Sequence, residues 1–212
     1  MVALLAPLLS ACSGLLPKAA PLPSFYTLDQ TATPTRPSVA TAAPRQVVQP
    51  TLTVLPTRAT AGFDSAHIIY TRDAHKLEYF AQSEWVDTPA RMLSPLIAVT
   101  VERSAAWQAV VTAPSSASAH FSLHTELLRL QHDFTVQPSQ VRFTLRAQLI
   151  DVATRRVVLS RDFDQTAVST TEDARGGVVA AHRAVSTALD QLAQSLADAA
   201  AQWKPLPRLD GG

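Results

Sequence analysis

The chain contains one cysteine, Cys12, and its neighbours are those that covalent lipidation requires. Leu9, Ser10 and Ala11 match the bacterial lipobox, in which a branched apolar residue and two small residues precede the cysteine. In that chemistry the thiol takes a diacylglyceryl group, and the amino group freed by cleavage is acylated. Two or three acyl chains anchor a protein stably, because each buried methylene contributes about 0.8 kcal/mol. A buried free cysteine is the alternative, but position and neighbours favour an attachment point at Cys12.

Residues 1–11 are apolar and are followed by small residues, which is typical of the end of a secretory signal peptide. They are few for a signal, and no Lys or Arg precedes them, so we expect the true start codon to lie upstream. Residues 12–23 would then be the lipidated cysteine and its tether. Ser13 is not the aspartate associated with inner-membrane retention. We therefore expect a periplasmic protein anchored to the inner leaflet of the outer membrane.

Three histidines and two aspartates have spacings that could suggest a metal site or a pair of catalytic carboxylates. His120 and His124 would share a strand face but stand roughly 13 Å apart, too far for one ion, and His132 is expected on the other face. Asp162 and Asp164 would share a strand face at roughly 7 Å, a spacing that could suit paired carboxylates. No cleft or sugar-stacking aromatic residue is evident beside them, so we expect solvated aspartates and no metal site.

The rest of the sequence gives no sign of catalysis, nucleotide binding or nucleic-acid binding. No GxSxG nucleophile motif occurs, and no glycine lies between Phe63 and Arg175, which removes glycine-rich phosphate loops from that region. A net charge of +1 with 17% charged residues provides no broad basic surface for nucleic acid. We therefore predict a protein that is not an enzyme, with no catalytic residues and no cofactor besides the diacylglycerol and N-acyl groups on Cys12.

Aromatic residues are concentrated between residues 70 and 85, although the whole chain is only 6% aromatic. These residues could fill the core, and we expect that of Leu77 and Phe80. Tyr, Trp and Arg are also over-represented among interface hot spots, so some of the block is expected to bind a partner. The predicted partner-binding residues are Tyr70, Arg72, Tyr79 and Trp85.

We predict a single α+β domain, an antiparallel or mixed β-sheet with two main helices packed on one face. The domain covers residues 24–204, after the lipidated N-terminal tail. Residues 31–46 are rich in Pro, Ala and Thr and are expected to form an extended segment, and residues 205–212 are expected to be a flexible tail. After residue 16 no apolar run approaches the roughly 20 residues that a membrane-spanning helix needs.

Local patterns predict the main strands and helices. Strict alternation from Val141 to Leu149 predicts a strand with one apolar and one wet face. In the preceding strand the apolar phase changes near Leu127 and Leu128, which predicts a β-bulge. A helix should follow Thr88 as N-cap, with Pro89 at its first position. Residues expected near one face of that helix are Met92, Leu96, Val99 and Arg103. An apolar stripe between residues 181 and 203 predicts the last helix, which should cover the apolar face of the sheet.

Residues 62–97 resemble the signature block of a known family. The block contains a Y-x-R strand at Tyr70 and Arg72, an LEYF motif at residues 77–80 and a W-x-D-x-P-A-R-M-L motif at residues 85–93. A lipobox, an early YTL strand, a proline-rich segment and an alanine-rich last helix complete the likeness. The chain is similar to the ABC-type transport auxiliary lipoproteins, the PqiC-like group.

This resemblance implies a role in lipid transport between the inner and outer membranes. Family members work beside an ABC permease and ATPase and a periplasmic MCE-domain protein that forms hydrophobic tunnels. The implied mechanism is docking, in which the anchored domain receives the end of the tunnel at the outer membrane. Some relatives form rings, so the resemblance also implies that a homo-oligomer can form. The alternatives are a periplasmic lipid-binding carrier, which would need an internal apolar cavity, a structural envelope lipoprotein, and an envelope hydrolase, which the missing catalytic residues oppose.

Overall fold

The computed structural model describes residues 22–29 and 49–204, and these ranges contain nine strands and two helices. In chain order the elements are β1 (Ser24–Tyr26), β2 (Thr51–Val54), β3 (Arg58–Ala59), β4 (His67–Thr71), β5 (Glu78–Trp85), α1 (Pro89–Arg103), β6 (Ala109–Thr112), β7 (Phe121–Asp133), β8 (Gln140–Asp151), β9 (Arg156–Val168) and α2 (Ala174–Gln202). The strands form one mixed open sheet in a single domain, as predicted.

Three long antiparallel strands, β7, β8 and β9, form the frame of the sheet. Alternate residues of β8 from Val141 to Leu149 are buried, which confirms the predicted alternation. The register between β7 and β8 shifts between Leu127 and Arg129, so the predicted bulge is present. The extra residue reverses the phase of β7, and His132 consequently lies on the buried face, with 2% of its surface exposed.

The other edge of β7 pairs with three short strands in succession, all of them parallel to it. β2 pairs with the beginning of β7 (Leu52 opposite Phe121), β3 with its middle, and β4 with its end (Tyr70 opposite His132). β6 adds to β2, β5 adds to β4, and β1 adds to β5. The edge of the sheet beyond β7 therefore divides into two branches, with the short β3 between them.

The helix α2 covers the apolar face of the sheet with the predicted stripe. Its N-cap is Asp173, whose carboxylate accepts a hydrogen bond from Gly176 N at 2.8 Å and thereby satisfies a free donor of the first turn. The buried residues of the stripe are Ala181, Val185, Ala188, Leu189, Leu192 and Leu196. No helix in residues 22–29 and 49–204 has the length and the apolar character needed to cross a membrane.

The helix α1 begins as predicted, and of the four residues expected near one face only Met92 is buried. Pro89 is the first helical residue after Thr88, although the Thr88 side chain makes no capping hydrogen bond. Leu93, Ile97 and Val101 are completely buried, whereas Val99 is 49% exposed. Apart from Met92, most of the buried residues lie one position after those expected to share a face, which is a rotation of about 100° around the helix axis.

Candidate functional site

Tyr70 and Arg72, two of the predicted partner-binding residues, lie together at the end of β4. The Arg72 guanidinium lies 4.9 Å from the centre of the Tyr70 ring, a distance at which the cation is attracted to the ring face. The Tyr70 ring packs against Phe80 at 4.7 Å and against Phe134 at 5.7 Å between ring centres. Tyr70 is half-buried and Arg72 is exposed, so the arginine is the accessible member of this pair.

Tyr79 lies on the opposite face of the sheet, because successive side chains of a strand point to opposite faces and Phe80 faces the core. The Tyr79 side chain is 60% exposed and stacks on His67 with 4.4 Å between ring centres. His67 Nδ1 lies 3.5 Å from Glu84 Oε1. Phe25 is also 60% exposed and is the β1 partner of Glu84, so it lies on the same face. We call Phe25, His67, Tyr79 and Glu84 the Tyr79 surface.

Trp85 does not fit its predicted role as a surface contact. Its side chain is only 4% exposed and belongs to the hydrophobic core, where it lies near Gly177 and Ala181 of α2. Alternation along the end of β5 puts Glu84 on the outer face and Trp85 on the helix face. The expectation for Leu77 was also wrong, since it is 49% exposed, while Phe80 packs against the core as expected.

Asp162 and Asp164 are exposed, but each is committed to an arginine on β8. Arg146 Nε and Nη2 donate to Asp162 at 2.8 and 2.9 Å, and Arg142 Nε and Nη2 donate to Asp164 at 3.0 and 2.6 Å. These hydrogen bonds hold the pKa of both carboxyl groups below the ordinary range. The aspartates are thus ion-pair partners on the polar face of the sheet. Within the described part of the chain, no three His, Cys, Asp or Glu side chains are arranged to hold a metal ion.

A network that the sequence did not reveal joins the buried His132 and Ser139 to the exposed Glu172. His132 Nε2 lies 2.8 Å from Ser139 Oγ, and Ser139 N donates to Glu172 Oε1 at 3.1 Å. Burial lowers the pKa of His132, although the nearby carboxylates of Glu172, Asp173 and Asp133 oppose the shift. Ser139 is completely buried, so a substrate has no access to its hydroxyl. We therefore interpret this serine–histidine pair as a structural element.

The comparison with protein families decides the class of the protein. The family model described as the ABC-type transport auxiliary lipoprotein component matches residues 26–197, which run from β1 into α2. The chain belongs to this family. The ABC-type transport auxiliary lipoproteins are transport components and are not a known enzyme family. No curated protein matches the chain in sequence.

Two solved structures share the fold of this auxiliary lipoprotein at low sequence identity. A DUF330 protein from Xanthomonas campestris is 21% identical, with a TM-score of 0.67 over 73% of this chain and 88% of that chain. An uncharacterized protein is 10% identical, with a TM-score of 0.64 over 83% of this chain and 99% of that chain. The PelC dodecamer from Paraburkholderia phytofirmans is 16% identical, with a TM-score of 0.43 over 68% of this chain and 87% of that chain.

The predicted attachment point, Cys12, lies outside the described residues. The same holds for the predicted signal peptide at residues 1–11, the Pro/Ala/Thr-rich segment at residues 31–46 and the tail at residues 205–212. β1 begins at Ser24, twelve residues after Cys12. Membership of a lipoprotein family supports the association with the cell envelope that Cys12 predicts.

Proposed function

We propose that this auxiliary lipoprotein is a non-enzymatic component of an ABC/MCE-type lipid transport system. Acyl chains on Cys12 would hold it at the inner leaflet of the outer membrane, and its folded domain would dock the periplasmic MCE-domain protein there. Family membership supports the coarser role as an auxiliary lipoprotein of an ABC-type transport system. A homo-oligomer remains a prediction, which light scattering of the purified chain would test.

The Tyr79 surface is the observation that carries the docking proposal. Phe25 and Tyr79 are both 60% exposed on one face of two neighbouring strands. Exposure of large aromatic side chains to water is unfavourable, and such side chains are frequent anchors at protein interfaces. The surrounding His67 and Glu84 provide the polar groups that usually accompany such anchors.

The position of the Tyr79 surface suits a partner that ends at the membrane. β1 carries Phe25, and its first residue, Ser24, follows Cys12 by twelve residues. A fully extended tether of that length spans at most about 40 Å. An anchored domain would therefore hold this surface near the membrane, where the end of a periplasmic tunnel would meet it.

Co-purification with the MCE-domain protein tests the proposal. Tyr79→Ala and Phe25→Ala should each weaken the complex at least about thirtyfold, because truncation of an aromatic anchor costs roughly 2 kcal/mol or more of binding free energy. Both side chains are mainly solvated, so the melting temperature should hardly change. Val157→Ala is the matched control, since Val157 is 53% exposed on β9, far from this surface. Normal binding by both aromatic variants would exclude the Tyr79 surface as the docking site.

The carrier alternative is not favoured by the interior of the domain. A lipid carrier needs an apolar cavity of several hundred Å³, whereas the cavity between the sheet and α2, beside Trp85, His132 and Gly177, measures about 10 Å³. The apolar side chains of the sheet and the helices fill the core instead. This packing supports a docking role over a carrier role.

A further inference from the structure

A hollow of about 510 Å³ opens on the polar face of the sheet, where β2 ends and β3 has not yet begun. The chain between these strands turns away from that face and towards α1. Thr57 N donates to Ser94 Oγ of α1 at 2.9 Å, and the Thr57 and Thr125 hydroxyls lie 2.8 Å apart in the core. This detour leaves the neighbouring part of β7 uncovered on the outer face, and the hollow results from it.

Four charged residues, in register across four strands, form a row that runs along the hollow. They are Arg58 of β3, Glu126 of β7, Arg146 of β8 and Asp162 of β9. Arg146 uses Nε and Nη2 for Asp162 and holds Nη1 3.9 Å from Glu126. In the part of the chain that the structure describes, Arg58 forms no ion pair. The row thus ends in an uncommitted cation beside a carboxylate with only one distant partner.

We propose that this hollow binds a zwitterionic group in which a phosphate is joined through a short chain to an ammonium, as in phosphoethanolamine. Arg58 would bind the phosphate, because the planar guanidinium matches two phosphate oxygens. Glu126, its neighbour in register, would bind the ammonium. His124 and Gln148 also line the hollow and provide further polar groups for the phosphate oxygens.

The pairing of charges determines the class of ligand. A simple phosphate would gain the attraction of Arg58 but would meet the negative charge of Glu126, and a simple amine would meet the opposite problem. Residues paired on neighbouring strands are about 5 Å apart, so a ligand whose two charges have a similar separation can pair with Arg58 and Glu126 at the same time. Leu55 and Pro56 line the same hollow and offer an apolar wall to the carbon atoms between or beside the charges. The site lies on the segment between β2 and β3 and on β3, β7 and β8, so it does not depend on the docking proposal for the Tyr79 surface.

Calorimetric titration of the full chain carrying Cys12→Ser provides the test, with glycerophosphoethanolamine, glycerol 3-phosphate and ethanolamine as probes. We expect the zwitterion to bind about tenfold more tightly than either half, the usual effect of one additional charge-assisted hydrogen bond. Arg58→Ala should weaken zwitterion binding at least about tenfold. Glu126→Gln should weaken the zwitterion but leave glycerol 3-phosphate unchanged or bound more tightly. Arg156→Ala is the matched control, because Arg156 is an exposed arginine at the start of β9, outside the hollow.

Vesicles distinguish a soluble ligand from a lipid headgroup. If the headgroup is the ligand, phosphatidylethanolamine vesicles should bind the same protein in an Arg58-dependent way, whereas a soluble ligand would act only as free glycerophosphoethanolamine. Either result supports the site. Equal affinity for glycerol 3-phosphate and the zwitterion, unchanged binding in Arg58→Ala, or no binding of zwitterion and vesicles at about 10 mM would each overturn it.

Discussion

Replacing Gly177 with alanine would place a methyl group against the buried imidazole of His132. The added Cβ would lie 2.5 Å from His132 Nδ1 and 3.1 Å from Cε1, well inside van der Waals contact. The ring has little freedom to move, because it packs against Phe134 at 4.1 Å and Phe80 at 6.4 Å between ring centres and bonds to Ser139. We therefore expect the clash to cost about 2–3 kcal/mol, the upper part of the range for overpacked cores.

Helix propensity offsets part of that cost. The sign of the net change in the free energy of unfolding therefore shows whether the clash with His132 outweighs the propensity. Alanine is more favourable than glycine within a helix by about 1 kcal/mol, so Gly177→Ala should lower the free energy of unfolding by about 1–2 kcal/mol. In a His132→Ala background the clash is absent and only the propensity remains. There the same substitution should raise the free energy of unfolding by about 0.5–1 kcal/mol.

Urea unfolding of the full chain and its three variants measures this coupling. Midpoints and m-values from the four curves give the interaction energy between the two positions, which we expect to be about 2 kcal/mol. The helix signal of each variant should match that of the parent chain before denaturant is added. If Gly177→Ala changes stability equally in both backgrounds, within about 0.5 kcal/mol, the steric argument for His132 is refuted.

Four further predictions concern other parts of the molecule. Burial lowers the pKa of His132, so below about pH 6.5 the unfolded chain takes up a proton that the folded chain resists. The free energy of unfolding should therefore fall between pH 6.5 and the lower pKa of the folded state. In urea titrations at several pH values, His132→Ala should reduce this slope. Asp164→Asn should lower the free energy of unfolding by less than about 1 kcal/mol, because the ion pair with Arg142 is exposed. The pair stabilises the fold above the ordinary aspartate pKa, and its contribution is lost as the pH falls through the lowered pKa of Asp164. Stability measured against pH and salt concentration would check this. Trp85→Ala should cost about 3–5 kcal/mol and depress the melting temperature, whereas a surface role predicts normal melting and weaker partner binding. Cys12→Ser should leave a folded protein that no longer sediments with membranes when partner proteins are absent, and full retention by membranes would contradict the anchor assignment.

The long strands and the last helix could be predicted because their patterns are local and complete. β8 alternates without interruption from Val141 to Leu149, so one face of the sheet had to be apolar. The change of phase at Leu127 and Leu128 could be read as a bulge for the same reason, since a slip of one residue exchanges the two faces. The family block between residues 62 and 97 also contained exposed residues, among them Arg72 and Tyr79.

Trp85 shows why the candidate site was only partly predictable. From His67 to Ile69, β4 advances by two residues, while its partner β5 advances by five, from Tyr79 to Glu84. This irregularity allows Phe80 and Trp85, an odd number of residues apart, to face the core together. Nothing in the local pattern signals it, because the register is set by pairing between strands.

Other features depend on contacts between distant parts of the chain. The hollow beside Arg58 forms because Thr57 bonds to Ser94, thirty-seven residues later. The packing of Gly177 on His132 joins residues forty-five positions apart. Hydrophobic periodicity reports which face of an element is buried, and it carries no information about which elements meet.

The attachment of β2, β3 and β4 to a single edge of β7 has a consequence for how the chain acquires its structure. Before β7 exists, the described strands of the first half can form only two separate associations, β2 with β6 and β4 with β5 and β1. The two-stranded association is marginal in water, and three strands are the minimum for independent stability. We therefore expect a chain made from its N-terminus to complete this part of the sheet only after residues 121–133 have been synthesised, because pairing between distant strands is slow. The first half of the molecule thus depends on the second half for its strand pairing. We expect truncation before Phe121 to yield an aggregation-prone polypeptide instead of a smaller domain.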